Sequence, residues 1–197
     1  IFQERTRKSN DRNKDLASRG MVRSEAAGTI GNAQPKQHEQ FLRDQGCSRV
    51  EIIPHGCLQS DSPSTLPRGY STGYLGQVGP DKGLLYLIQA WGSLGYTDST
   101  LFLAGSGPET LGPFISRSAG AGRFKLLGYV KSPSELYELC SVYIQPSVAE
   151  AWGIEVLEAM SHGRPVIVSS GAGAADAVRQ GVEGFVVPPR DPKAIAE

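Results

Sequence analysis

From Gly69 onward, short apolar runs alternate with amphipathic segments in a regular rhythm. Tyr74-Leu-Gly-Gln-Val78 reads as a strand, and the apolar face of Lys82-Gly-Leu-Leu-Tyr-Leu-Ile-Gln-Ala-Trp91 as a helix. Thr100-Leu-Phe-Leu-Ala104 is a buried strand, with a weaker helix over part of residues 109 to 119. Phe124-Lys-Leu-Leu-Gly128 is the next strand. Ser132-Pro-Ser-Glu135 then places serine at an N-cap, proline at the first helical position and glutamate two later, a capping box for a helix reaching Cys140. Val142 to Gln145 is a strand, Ile154 to Ser161 a helix and Pro165 to Ser169 a strand. A short helix around 174 to 180 and the strand Gly184 to Val187 follow. Strands alternating with helices in this way predict βαβ units, and so an α/β fold with a Rossmann-like parallel sheet and helices on both faces.

The first 67 residues pattern differently. Residues 3 to 19 are highly charged and compatible with a helix, and residues 35 to 45 predict a short helix with proline at its start and Gly46 as its stop. Val50 to Pro54 reads as a short strand, followed by His55-Gly56 and a Ser/Pro-rich linker to Pro67. Composition shifts at the same place. Phe2 and Phe41 are the only aromatics before residue 68, whereas all seven tyrosines, both tryptophans and four phenylalanines come after it. We therefore expect two units, residues 1–67 and 68–197, with the core in the second. The opening Ile-Phe-Gln and the closing Asp191-Pro-Lys-Ala-Ile-Ala-Glu197, which starts a helix, both read as the ends of a fragment.

Charge and cysteine content narrow the function classes. Twenty basic and twenty acidic residues cancel, so nothing in the whole-chain field points to nucleic acid. The longest apolar runs, such as Pro165-Val-Ile-Val168, fall far short of the ~20 residues that span a bilayer. Cys47, Cys57 and Cys140 form no Cys-x-x-Cys pair, and His38, His55 and His162 complete no ligand spacing with them, so no metal site is expected. A reduced, cytoplasmic protein follows. The basic start (Arg5, Arg7, Lys8, Arg12, Lys14) is interspersed with Glu4, Asp11 and Asp15 and reads as a solvated face, not a membrane adaptor.

In doubly wound sheets ligands lie beyond the carboxyl ends of the strands, so the chemistry is sought there. After the first strand comes Gly76-Gln77-Val-Gly79-Pro-Asp-Lys82-Gly83, a glycine-rich turn that suits a phosphate or is simply a turn beside a solvated lysine. Gly105-Ser-Gly107-Pro108 permits a close ligand, although taken alone it reads as a turn. In Gly128-Tyr129-Val130-Lys131, Tyr129 offers a face to a base or is an ordinary surface residue. Pro146-Ser-Val-Ala-Glu150-Ala-Trp152-Gly153-Ile154 is the most informative. Glu150 stands in the loop, and Glu158 lies one turn beyond Ile154 on a helix rich in Ile, Val, Leu, Ala and Met. A carboxylate on so apolar a helix must face solvent or a partner. Carboxylates suit sugar and ribose hydroxyls, and the amides of Trp152, Gly153 and Ile154 suit a diphosphate. Glu155 is the competing candidate and reads as an ordinary first-turn acid that favours the helix dipole.

Together these residues resemble the retaining glycosyltransferases of the two-domain GT-B fold, family-4 type. The resemblance covers roughly residues 30 to 197 and rests mainly on Glu150-Ala-Trp-Gly-Ile-Glu-Val-Leu-Glu158-Ala-Met-Ser-His-Gly-Arg-Pro-Val-Ile-Val-Ser169. Lys82-Gly83, Gly105-Ser-Gly-Pro-Glu109, Leu127-Gly-Tyr-Val130, Pro146-Ser147 and Gly181-Val-Glu-Gly-Phe-Val-Val-Pro188 support it in order. It implies the C-terminal, donor-binding half of such an enzyme, with a nucleotide-diphosphate sugar as substrate and no cofactor. Lys82 and Glu150 would be the catalytic pair, Lys82 neutralising the leaving diphosphate and Glu150 holding sugar hydroxyls. Glu158 would bind the ribose, the backbone at Tyr129 and Val130 the base, and Gln77, Gly79, Gly105, Gly107, Trp152, Gly153 and Ile154 would complete the donor site. The acceptor (a saccharide, a lipid-linked sugar or a small molecule) would lie against an N-terminal domain mostly absent from this chain. In the full-length enzyme a peripheral position at the membrane is compatible with this reading.

Three positions depart from the family pattern. Gln77 stands where many relatives have an arginine, Asp176 where the turn usually ends in glutamate, and His55 where the hinge usually has asparagine. Gln77 gives some support to the alternative of a non-catalytic nucleotide-sugar-binding domain. The glutamate spacing argues against an epimerase of the same fold, and no lysine stands in a context suited to the pyridoxal phosphate of a phosphorylase.

Overall fold

The computed structural model describes residues 22–24, 35–57, 65–67, 69–118 and 123–197. Six strands form one parallel sheet: β3 (Ser71–Leu75), β4 (Thr100–Ala104), β5 (Arg123–Gly128), β6 (Val142–Gln145), β7 (Val166–Ser169) and β8 (Gly184–Val187). Their spatial order is β5-β4-β3-β6-β7-β8. The chain thus lays down three strands in one direction, returns to the centre and lays down three in the other, which is the Rossmann order with its switch point between β3 and β6.

Alternation along each strand divides the core between the two faces. Leu101, Leu103 and Ile144 point to one face, against Leu84, Leu87, Ile88 and Trp91 of α2 (Leu84–Ser93) and Ile195 of α6 (Pro192–Ala196). Phe102, Ala104, Tyr143, Val166 and Val168 point to the other. There they meet Leu136 and Tyr137 of α4 (Ser134–Tyr137) and Val156 and Ala159 of α5 (Ile154–Ser161). Burying one such aliphatic side chain contributes about 2 kcal/mol. Apolar runs in strands covered on both faces are the pattern that the sequence predicts, and the α/β, Rossmann-like expectation holds.

Several local expectations shift. The first strand of the sheet ends at Leu75, not Val78, because Gly76 turns away with φ +155°. Residues Pro80–Lys82 form a 3-10 turn before α2 begins at Leu84. The weak helix in 109–119 resolves into a 3-10 turn (Pro108–Leu111) and α3 (Gly112–Arg117). The helix expected from Ser132 to Cys140 is shorter. Half of its capping box is made, the Ser132 N–H donating to Glu135 Oε1 at 3.1 Å, while Ser132 Oγ pairs with Ser134 Oγ at 2.6 Å. The helix expected at 174–180 is a 3-10 turn over Gly173–Ala177, which its glycine and three alanines do not extend. α6 has the predicted start, with Asp191 accepting from the Lys193 and Ala194 N–H groups.

In the first part, α1 (Pro35–Asp44) ends at Gly46 as predicted, with φ +87° there. β2 (Val50–Ile52) pairs antiparallel with β1 (Val22–Ser24), a partner whose three residues carry no readable pattern. Leu42 and Cys47 form a small core with Val50 and Ile52. The helix expected over residues 3 to 19 and most of the linker lie outside the described residues. Among the described residues, no helix is long and apolar enough to cross a membrane.

Candidate functional site

The switch point brings together the loop after β3 and the loop after β6. Their backbones are joined directly: the Asp81 carbonyl accepts the N–H groups of Val148 at 2.7 Å and Ala149 at 3.2 Å. Gly83, with φ +70°, lies so close that a Cβ there would stand 1.9 Å from the Pro146 carbonyl oxygen. No other residue type fits this contact. The approach of the loops sets Lys82 against Glu150, and the ammonium donates to Glu150 Oε2 in an ion pair. Asp81 Oδ2 lies 3.8 Å from the same ammonium.

Glu150 is held from behind as well. Its N–H donates to the Gly171 carbonyl at 2.9 Å and its carbonyl accepts from Gly173 N–H at 3.1 Å, extending the β6–β7 pairing beyond the strands. Beneath it runs a buried polar chain. The Tyr143 hydroxyl lies 2.7 Å from Gln145 Oε1, Gln145 Nε2 donates to Ser147 Oγ at 2.9 Å, and Ser169 Oγ donates to the Ser147 carbonyl at 2.7 Å. A buried polar network whose members are bonded in this way rigidifies the loop.

An open cavity of about 470 Å³ lies over these groups. Of the twelve residues expected at the site, Lys82, Glu150, Trp152, Gly153 and Ile154 line it. The last two begin α5, whose free N–H groups and dipole face the cavity mouth. Trp152 is buried, with its ring 5.8 Å from that of His55. Its Nε1 has no hydrogen-bond partner among the described residues.

The other seven are not among the residues that line it. Gln77 is exposed and contributes its carbonyl to the Tyr74 hydroxyl at 3.1 Å. Gly79 precedes the 3-10 turn that carries Lys82. Gly105, with φ +122°, packs its backbone on Gly76, where a Cβ would stand 2.0 Å from the carbonyl oxygen. Gly107 opens the next 3-10 turn. Tyr129 is exposed, while Val130 is half-buried against the second-face core. Glu158 is half-buried on α5 and accepts from the Tyr137 hydroxyl at 3.0 Å.

Five lining residues are not among the twelve: His55, Asp81, Ala149, Ala151 and Glu155, the last of which the sequence reads as a first-turn acid. Glu155 carried a usable signal, since side chains in the first turn of a helix lean back toward its start and so toward the preceding loop. His55, marked in the sequence only by its place at the hinge, reaches the site through folding.

The titratable groups respond to this arrangement. Burial acts to lower the Lys82 pKa, but the hydrogen bond and charge of Glu150, with Asp81 and Glu155, outweigh it and raise it, so the ammonium is charged. Glu155 is pushed up, first by burial and then by Glu150 and Glu158, against its own N–H and Lys82. Burial lowers the His55 pKa, which favours the neutral ring. Among the described residues no group of three or more His, Cys, Asp or Glu side chains is arranged to hold a metal ion.

Residues 69–197 match the family model of glycosyl transferases group 1. The chain belongs to that family. It is 34% identical over 128 residues to an uncharacterized glycosyltransferase of Methanocaldococcus jannaschii, covering 62% of this chain and 33% of that protein. It is 32% identical over 176 residues to the capsular polysaccharide biosynthesis glycosyltransferase CapM of Staphylococcus aureus, covering 85% of this chain and 43% of CapM. The chain thus spans less than half the length of these two relatives. Among solved structures, it resembles the Anabaena protein HepE, crystallised with UDP and glucose, with TM-score 0.60 and 27% identity over 64% of this chain and 36% of HepE. The sucrose-phosphate synthase of Thermosynechococcus elongatus shares the fold, with TM-score 0.65 at 23% identity over 83% of this chain and 46% of that one.

Proposed function

We propose that this chain carries the nucleotide-sugar donor site of a glycosyltransferase that moves a sugar to an acceptor with retention of configuration. The observation that carries the reading is the Lys82–Glu150 pair, drawn together across the switch point beside the start of α5. Lys82 and the amides of Gly153 and Ile154 present positive charge where a diphosphate leaving group would need it, so no metal is called for. Glu150 presents carboxylate oxygens to sugar hydroxyls. Glu158, kept in place by Tyr137, is assigned to the ribose, and the turn at Tyr129 and Val130 to the base. In this reading the chain is the C-terminal, family-4-like half of a cytoplasmic enzyme, and is inactive alone because the acceptor is held by a separate domain. The HepE complexes with UDP and with UDP-glucose support a uridine nucleotide as the first donor to try.

The test is titration calorimetry of the folded chain with UDP, GDP and ADP and their common sugar conjugates. Binding of at least one is expected, weakened by Glu158→Ala. A folded chain that binds none of them would rule the reading out. The exposed Gln77, uncharged where many family members have an arginine, favours a second reading: a domain that binds the donor without turning it over. Joined to a complete acceptor domain, Gln77→Arg would then restore turnover that the parent lacks.

A further inference from the structure

Glu155 is the carboxylate for which the donor-site reading has no task. It stands in the first turn of α5, half-buried, on the wall of the same cavity as Lys82 and Glu150. Its own N–H bonds it, but no side chain among the described residues donates a hydrogen bond to its carboxylate. Glu150 faces it from the loop after β6 and Glu158 from the next turn of its own helix. From the sheet come the hydroxyls of Tyr74 and Tyr143, and from α4 that of Tyr137, all three pushed well up, with burial the first cause and the Glu155 charge another. The cavity wall is completed by Asp81 and by His55, whose burial favours its neutral form. Among the described residues, Lys82 is the one cation bearing on Glu155, and it is bonded to Glu150.

Among the described residues, the cavity therefore holds three carboxylates against one ammonium before any ligand arrives. A sugar diphosphate adds about two negative charges and competes with Glu150 for Lys82. Once the ammonium turns to the phosphates, Glu150 and Glu155 face each other without their cation, in a site from which the ligand has displaced water. Two carboxylates that face each other without a cation raise each other's pKa and favour uptake of a proton.

Resting on the donor-site reading, we propose that Glu155 is a further donor-binding residue, which takes a proton from solvent as the diphosphate enters and Lys82 leaves Glu150. The balance is simple. A buffer acid or hydronium gives up one proton, a Glu155 oxygen receives it, and the neutral carboxyl becomes a hydrogen-bond donor in the cavity. No bond of the ligand is made or broken.

The experiment is calorimetric titration of the 197-residue chain with UDP-glucose near pH ~6, where the ligand's diphosphate diester does not titrate, in buffers of different ionisation enthalpy. The dependence of the observed heat on the buffer counts protons. Net uptake is expected, with affinity rising up to about tenfold per unit fall in pH. Glu155→Gln, a near-isosteric change whose folding a thermal melt confirms, abolishes the uptake and flattens the pH dependence, whereas His55→Gln retains both. Binding without uptake, or uptake that survives in Glu155→Gln and vanishes in His55→Gln, overturns the proposal while leaving the donor site intact. If UDP-glucose, GDP-mannose and ADP-glucose all fail to bind the folded chain, the donor-site reading fails and this one with it.

Discussion

Gly83 and Pro146 are in backbone contact: a Cβ on Gly83 would stand 1.9 Å from the Pro146 carbonyl oxygen. The residue before that glycine is Lys82, and the loop after that proline carries Glu150. The contact therefore sets the separation of the two charged groups, and a side chain at Gly83 must push the loops apart.

Gly83→Ala is expected to destabilise the chain by about 3 kcal/mol, combining a backbone clash with a left-handed conformation that alanine resists. Urea denaturation measures the loss. Nucleotide binding should fall in conditions where the variant is still folded, because the Lys82–Glu150 geometry is lost with the contact. Wild-type affinity in the folded variant would show that the spacing is immaterial.

Lys82 is shared between Glu150 and any incoming phosphate. Glu150→Gln should therefore raise affinity for UDP severalfold, since the ammonium is released, while removing the advantage of UDP-glucose over UDP. Lys82→Ala should weaken both ligands, by about 1.5–3 kcal/mol for a charged hydrogen bond to phosphate. Equilibrium titration of the two variants against the parent separates the effects. An unchanged preference for UDP-glucose in Glu150→Gln would remove Glu150 from the sugar.

The strands were legible where burial on both faces imposes an apolar run. β4 to β8 all fall within a residue of the sequence reading, most firmly where Leu101 through Ala104 or Val166 through Val168 are apolar throughout. The first strand of the sheet was misplaced because Val78 extends the apolar run, and only the backbone of Gly76 shows that the chain has already turned. β1 was invisible because Val-Arg-Ser has no period of its own and depends on β2. At the site, the residues in the long glutamate motif and beside Lys82 were found. Those placed by tertiary approach, His55 above all, were not. Glu155 was discounted because an acid in a first turn has a sufficient local explanation, although the backward lean of first-turn side chains aims it at the loop that carries Glu150.

Glu155 also bears on stability, with a definite sign. Its pKa is raised in the folded chain by burial and by Glu150 and Glu158, so the folded state holds the proton more readily than the unfolded one. The contribution is fully present below the ordinary carboxylate pKa and is lost as pH rises through the folded value. Glu155→Gln should accordingly have a higher urea midpoint than the parent at neutral pH, the gap closing toward about pH 4. Equal midpoints at neutral pH would show that the carboxylate is already well solvated.

Ser169 holds the Ser147 carbonyl, and its hydroxyl also accepts from the Gly171 N–H. Ser169→Ala should cost about 1–3 kcal/mol, the penalty for leaving buried partners unbonded. Chemical denaturation reads the cost directly. A loss below that range would mean that water replaces the hydroxyl.

Trp152 lines the cavity, while Trp91, on α2, lies in the core. A nucleotide sugar should change the intrinsic fluorescence, and Trp152→Phe should remove most of that change while Trp91→Phe leaves it. A signal that follows Trp91 would place the ligand elsewhere.

Lys82 and Glu150 are 68 positions apart in the chain, and the strands whose following loops carry them, β3 and β6, pair through the Thr72–Val142 and Gly73–Tyr143 register. That short central seam is where the early three strands meet the late three. A ligand gripping both sides of it would act as a strut across the sheet, raising resistance to unfolding well beyond the residues it touches. Damage to the seam far below the cavity would in turn reach the ligand as a loosened grip.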